Sequence, residues 1–395
     1  MSKILFITTT NLASNPRLLK ELLIAENIFN YIEVIQFRLG NWSDVNTDTL
    51  KLSLKNTVFT ELSAIRKPFL PWLHFSLLEL ILNKMYFGFF GLQLTAFSLN
   101  KRSILLYFYL KKKKTDYDWI IAHNPGAFYP AYHLSKRTGS KLGFDIEDYH
   151  PGETNNLKKS IRMSKLMNCL LPQANYCSFA APLIQKEVEK GILKKHEDWF
   201  TIINGFSKSE FRKPTTTQNN KLKLVWFSQN ITPGRGLEKY ISVANSLHKD
   251  IELHLIGELS DQNKRYLFKN CQGIFIYRPM PQKELHQLLG DFDIGLAVEP
   301  CKDLNNSIAI SNKIIAYAQA GLFVLATPTP GQLGFLQQSN LNYEIVVDND
   351  IDINRALQNI LLNKTKYLNK LRQYKIADKY SWENISEPIK KVWKN

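Results

Sequence analysis

The sequence predicts an α/β protein built from two Rossmann-like, doubly wound domains. Short apolar runs alternate with segments whose apolar residues recur at helical spacing, which is the pattern of a parallel sheet covered by helices. The alternation stops near Ile203 and restarts at Leu222, after a stretch rich in Pro, Thr and Asn. A chain of 395 residues is too long for one ordinary core, so two domains of similar size follow from length as well. The expected division is 1–203, a linker at 204–221, and a second domain from 222.

Taken in order, Lys3–Thr8 reads as a strand. Ser14 and Asn15 can cap a helix starting at Pro16, with Leu18, Leu19, Leu22 and Leu23 on its buried face, and Tyr31–Phe37 is the next strand. The intervening turn, TTTNLASNPR, has no glycine, which rules out the GxGxxG dinucleotide fingerprint. Strands follow at 119–122, 141–145 and 176–179, with helices at 126–137 and 157–171 between them, and 200–203 leads into the interdomain stretch. Polar groups crowd the ends of these strands: His123 and Asn124, then Asp145, Glu147, Asp148, His150 and Glu153. In an open α/β sheet, sites form at the carboxyl ends of strands. The second half repeats the pattern with strands at 222–227, 251–256, 274–277, 294–298 and 323–327.

Within that half, SNKIIAYAQAGLFVLATPTPGQ (Ser311 to Gln332) reads as a capped helix, a terminating glycine, a buried strand and a loop. Lys313 falls in the first helical turn, where the macrodipole disfavours a cation by roughly 0.3 to 1 kcal/mol. It is either a solvated surface lysine or a ligand for an anion held at the helix N-terminus. Arg235, between Gly234 and Gly236 at another strand-to-helix loop, offers a second cation on the same sheet edge.

The net charge is +16, and from Leu80 to Thr115 there is no acidic residue, while seven basic ones, including the run Lys111 to Lys114, lie among aromatics such as Tyr86, Phe87, Phe89, Phe90, Phe97, Tyr107 and Phe108. Basic residues beside aromatics over about 69–114 fit an anionic membrane surface, the alternative being an aromatic core with a solvated lysine run. Polar residues interrupt every candidate span, so a peripheral rather than spanning association is expected. No nucleic-acid-binding motif accompanies the charge. Cys169, Cys177, Cys271 and Cys301 lack metal or disulfide spacing, and MSKILFITTTN reads as a strand rather than a secretion signal, so a cytoplasmic protein at the inner membrane face is expected.

Several segments, in order, resemble the donor domain of GT-B fold glycosyltransferases of the group 1, or GT4-like, family: INGFSKSEFRKP, LVWFSQNITPGRGLEKYI, LHLIG, LHQLLGDFDIGLA and SNKIIAYAQAGLFVLAT. SNPRLLKELL, AHNP and KLGFDIEDYH resemble the acceptor domain, and YSWENISEPIKKVW resembles the terminal helix that crosses back to it. The resemblance implies two domains facing across a cleft, a donor domain over 222–377 and a returning helix over 378–395. It implies transfer of a sugar from a nucleotide-diphosphate sugar to a glycan or lipid-linked acceptor, without metal or other cofactor, and no nucleic-acid partner. The family's diphosphate-binding Arg and Lys fall on Asn230 and Arg235, and Ser311, Asn312 and Lys313 match a subgroup with lysine at this helix start. Its paired glutamates fall on Ile308 and Ala316; Glu299 is either a substitute sugar contact or a surface carboxylate. Met280 and Pro281 lie in the base-contacting loop. His123 matches a histidine near the transferred sugar, Glu147 and Asp148 stand where a base is kept, and Asn15, Arg17, Asp145 and His150 fall on the acceptor side. A GT-B sugar epimerase and a non-catalytic GT-B scaffold are the alternative readings.

Overall fold

The computed structural model describes residues 2–85, 91–193, 197–214, 221–269 and 271–394. The chain divides into two compact units, Met1–Ile202 with Glu387–Asn395, and Ile203–Ser386. The first contains β1 (Lys3–Thr8), β2 (Tyr31–Arg38), β3 (Thr57–Ser63), β4 (Trp119–His123), β5 (Lys141–Ile146), β6 (Tyr176–Phe179) and β7 (Trp199–Thr201), all parallel, in the order β3-β2-β1-β4-β5-β6-β7. The second contains β8 (Leu222–Asn230), β9 (Ile251–Glu258), β10 (Ile274–Tyr277), β11 (Ile294–Ala297), β12 (Phe323–Ala326) and β13 (Tyr343–Ile345), also parallel, ordered β10-β9-β8-β11-β12-β13. The central strands are apolar because helices cover both faces, so neither face meets water. Strand order reverses between β1 and β4 in one sheet and between β8 and β11 in the other, which marks where each sheet opens a crevice at its carboxyl edge.

Three sequence expectations change. The stretch read as a linker begins as core: Phe206 and Phe211 are buried in the second unit, and Gln319 exchanges hydrogen bonds with the Phe206 backbone at 3.0 and 2.9 Å; residues 215–220 lie outside the described ones. Of the terminal segment, only the helix Glu387–Lys394 packs in the first unit, where Trp393 meets Phe6 and Phe29 edge-on and donates to Tyr176 Oη at 3.2 Å. The later part of the basic aromatic region is built into the fold: Phe97, Ile104, Leu106, Tyr107 and Leu110 are buried, so excising 80–114 would remove core. Tyr86, Phe87, Phe89 and Phe90 of that region lie outside the described residues.

Candidate functional site

In the second unit the crevice is flanked by the loops that follow β8 and β11. Gly236 carries a left-handed φ of 79°, and a Cβ there would come within 2.6 Å of Val298, so the β8 loop lies directly against the end of β11. That close approach brings Arg235 to the crevice, where it donates to Ser228 Oγ at 2.8 Å. From the other side, the helix Asn312–Gln319 points its N-terminus at the same edge, with Ser311 as N-cap and Gly321 in the left-handed conformation just past its end. Lys313 is buried in its first turn and its Nζ lies 2.5 Å from Glu299 Oε1, which also accepts from Ser311 Oγ at 2.8 Å. Both cations stand over the ring of buried Trp226, Lys313 at 5.6 Å and Arg235 at 5.9 Å from its centroid. A guanidinium and an ammonium over one ring, at a helix N-terminus, make a pocket of positive potential that Glu299 offsets in part.

The support behind this site is not visible as a motif. Thr327 Oγ1 accepts from the Glu299 N–H and donates to its carbonyl, each at 3.0 Å, and Gln332 Nε2 holds Thr327 in turn at 3.1 Å. The site helix sits on β11 because Gly295 leaves room for Tyr317, whose ring lies 2.1 Å from where a Cβ would be. Gly295→Ala should therefore destabilise the protein by about 1 to 3 kcal/mol through overpacking, and a wild-type urea midpoint for this variant would refute the packing argument. Asn230, Asn312 and Pro281 are exposed at this edge, and Met280 packs against the core below it. The places of the family's paired glutamates are taken by buried Ile308 and Ala316.

In the first unit, register sets Thr8, His123, Asp145 and Ser178 side by side at the carboxyl ends of β1, β4, β5 and β6. Arg17 and Glu21, from the helix Pro16–Ala25, reach the same place. Arg17 Nε lies 2.8 Å from Asp145, His123 Nε2 3.1 Å from Glu21 and His123 Nδ1 3.3 Å from Asp145, while Ser178 donates to Asp145 at 2.6 Å. Burial disfavours the imidazolium of His123, but Glu21 and Asp145 overcome this and push its pKa up to about 10. Asp145 is held below its ordinary range by Arg17 and His123 against the effect of burial, whereas burial raises Glu21. Glu21, His123 and Asp145 converge closely enough for a metal ion, yet the guanidinium of Arg17 already fills the cation's role and both imidazole nitrogens face carboxylates.

This corrects the expected roles of three residues. His123 is 0% exposed, and Arg17 and Asp145 share its buried cluster, so in this structure all three brace the carboxyl edge from beneath and none presents a surface to a ligand. Asn15 is likewise buried and caps its helix, accepting from Leu18 N–H at 3.0 Å. Glu147 and Asp148, half-buried just beyond β5, do reach the edge, and burial together with Asp145 lifts Glu147 to about 7. His150 pairs with Glu153 at 2.9 Å. Asn124 has φ 72° and ψ 143°, a strained backbone for a non-glycine residue, and its side chain accepts from Thr8 Oγ1 at 2.6 Å.

Two parallel doubly wound units of this order, with the last helix returned to the first, constitute the GT-B fold. Among solved structures, the chain is similar to TarM, with a TM-score of 0.67 over 100% of this chain and 99% of that one at 12% identity. It is similar to Anabaena HepE, solved in complex with UDP and glucose, with a TM-score of 0.65 over 98% of each chain at 14% identity. A UDP-N-acetylglucosamine 2-epimerase matches at a TM-score of 0.58, covering 98% of this chain and 95% of that one at 12% identity. No protein-family model matches the sequence, and no curated protein sequence matches it significantly.

Proposed function

We propose that the protein is a glycosyltransferase that moves a sugar from a nucleoside-diphosphate sugar to a glycan acceptor. The observation that carries this reading is the pairing of Arg235 and Lys313 over Trp226 at the switch point of the second sheet, a site built for a diphosphate. The two cations neutralise charge that develops on the departing diphosphate, so that no metal is called on for this step. Glu299, fixed by Thr327, accepts from a sugar hydroxyl in place of the missing glutamates. On the first unit, Glu147 is the carboxylate suited to take the acceptor hydroxyl's proton near neutral pH. The acceptor is lipid-linked, as in assembly of a bacterial surface polysaccharide, and the protein works at the cytoplasmic face of the plasma membrane. Among the described residues no helix is long and apolar enough to cross a membrane. HepE, of the same fold, has also been solved in complex with UDP-glucose, which supports the donor class.

Calorimetric titration with UDP, GDP, ADP and CMP tests the donor site: one nucleoside diphosphate should bind in preference to the rest, and a folded protein that binds none would remove the reading. Incubating the preferred donor without acceptor separates transfer from epimerisation, since an epimerised nucleotide sugar would appear only in the second case.

A further inference from the structure

We propose that the protein meets the membrane through a two-helix apolar face of the first unit, formed by the outer stripe of the helix Phe69–Lys84 and the first turns of the helix Leu157–Leu170, and that this face is occupied by an anionic lipid bilayer. The proposal rests on the membrane reading above, narrows it within 69–114 to the first helix, and extends it to a second helix outside that stretch.

Along the first helix Leu70, Leu77, Leu80 and Ile81, with Met85 at its end, are each about half exposed or more, on one stripe at helical spacing. On the second, Leu157 is 72% and Ile161 55% exposed, one turn apart. Arg162 ties the two together, donating to Asn83 Oδ1 at 2.6 Å and to Ser98 Oγ at 3.3 Å, so the end of one helix adjoins the start of the other. An apolar surface spread over two adjoining helices is the kind that water-soluble monomers seldom leave bare.

Charge identifies the occupant. Lys84, Lys158 and Lys159 are exposed around these side chains. The one carboxylate of the first helix, Glu79, is half-buried and accepts from Lys101 N–H at 3.1 Å, and the second helix has none. A second copy docked face to face would set these lysines against their own kind. Anionic headgroups complement them, while the apolar stripe enters the acyl boundary. The first helix has 16 residues, roughly 24 Å at 1.5 Å per residue, which suits lying in the interface and not crossing it. Within the lysine run at 111–114, Lys113 pairs with Glu33 at 2.8 Å and Arg137 bonds the backbone carbonyls of Leu110, Lys111 and Lys113, while the side chains of Lys111, Lys112 and Lys114 are exposed.

The test is sedimentation of the full chain with vesicles of phosphatidylglycerol and phosphatidylcholine in equal parts, and with phosphatidylcholine alone. Leu80→Gln with Ile81→Gln, and separately Leu157→Gln with Ile161→Gln, should each weaken binding to the anionic vesicles roughly tenfold or more. Lys158→Gln with Lys159→Gln should blunt its salt dependence, and Lys111→Gln with Lys112→Gln should change little; unchanged melting temperatures show that all are folded. Undiminished binding by either apolar pair, or loss confined to the 111–112 pair, overturns the location while leaving membrane association standing. A wild-type protein that binds no anionic vesicle overturns both. A lipid-free dimer, seen by sedimentation velocity and lost in the apolar variants, assigns the face to a second copy and overturns the proposal.

Discussion

Lys313→Met is expected to lower affinity for the preferred nucleoside diphosphate by roughly 10- to 100-fold, the loss of one charge-assisted hydrogen bond worth about 1.5 to 3 kcal/mol. The reasoning begins with how poorly the lysine is placed for structure alone. It sits in a helix's first turn, is nearly buried, and has as its ionic partner Glu299, which retains 24% side-chain exposure against 11% for the lysine. Desolvating an ammonium at a positive helix end is unfavourable, and one partly solvated carboxylate offsets only part of it. An anion at the same point would be held by Lys313, by the helix N-terminus and by Arg235 together. Arg235→Ala should weaken binding by a smaller factor, because this residue is more exposed. The double variant should lose less than the sum, since both side chains would serve one ligand. Calorimetry on the three variants decides it. Wild-type affinity in Lys313→Met, accompanied by a lower melting temperature, would leave the pair as a structural ion pair and nothing more.

Asp145→Asn should destabilise the first unit by about 3 to 5 kcal/mol, because it removes a carboxylate that Arg17 and His123 share and leaves Glu21 to offset both buried cations. The network also sets how stability depends on pH. His123 holds its proton to about 10 when folded but to 6.5 when unfolded, so its contribution is complete below pH 6.5 and disappears as pH rises through about 10. Asp145 is shifted below its ordinary 3.8, so its contribution is present above that value and is lost on acidification through the lower folded pKa. Glu147 behaves in the opposite sense to Asp145. Raised from 4.5 to about 7, it favours the folded state fully only below 4.5, and that contribution falls away as pH rises through about 7. Urea midpoints should therefore decline in two stages, the first as pH rises from 4.5 to about 7 and the second from 6.5 to about 10, and Glu147→Gln should abolish the first. A flat profile between pH 6 and 8 in the wild type would contradict this assignment.

The central strands were legible because burial on both faces leaves an apolar run that composition alone reveals. β3 and β13 were not, since they are edge strands: β3 is half-exposed along its length without clear alternation, and β13 has three residues. Lys313, Arg235 and Glu299 could be found as charges at strand ends. The shared contact of Lys313 and Arg235 with Trp226 could not, because it depends on the close approach of two loops far apart in the chain. His123 was visible but its meaning was not. Its partner Glu21 lies among Leu18, Leu22 and Ala25 on the buried face of its helix, while Leu23, read as buried, is exposed. A carboxylate at a buried helical position is itself the available signal, since such a charge requires a partner.

The return of Glu387–Lys394 to the first unit has a consequence for how the molecule is made. Phe6 and Phe29 are synthesised before the second unit, yet Trp393, which packs on both, emerges after it. On the ribosome the second unit has all of its residues before the first does. The domain that is translated first is thus the one completed last, and until then it exposes an aromatic surface that the final helix will close.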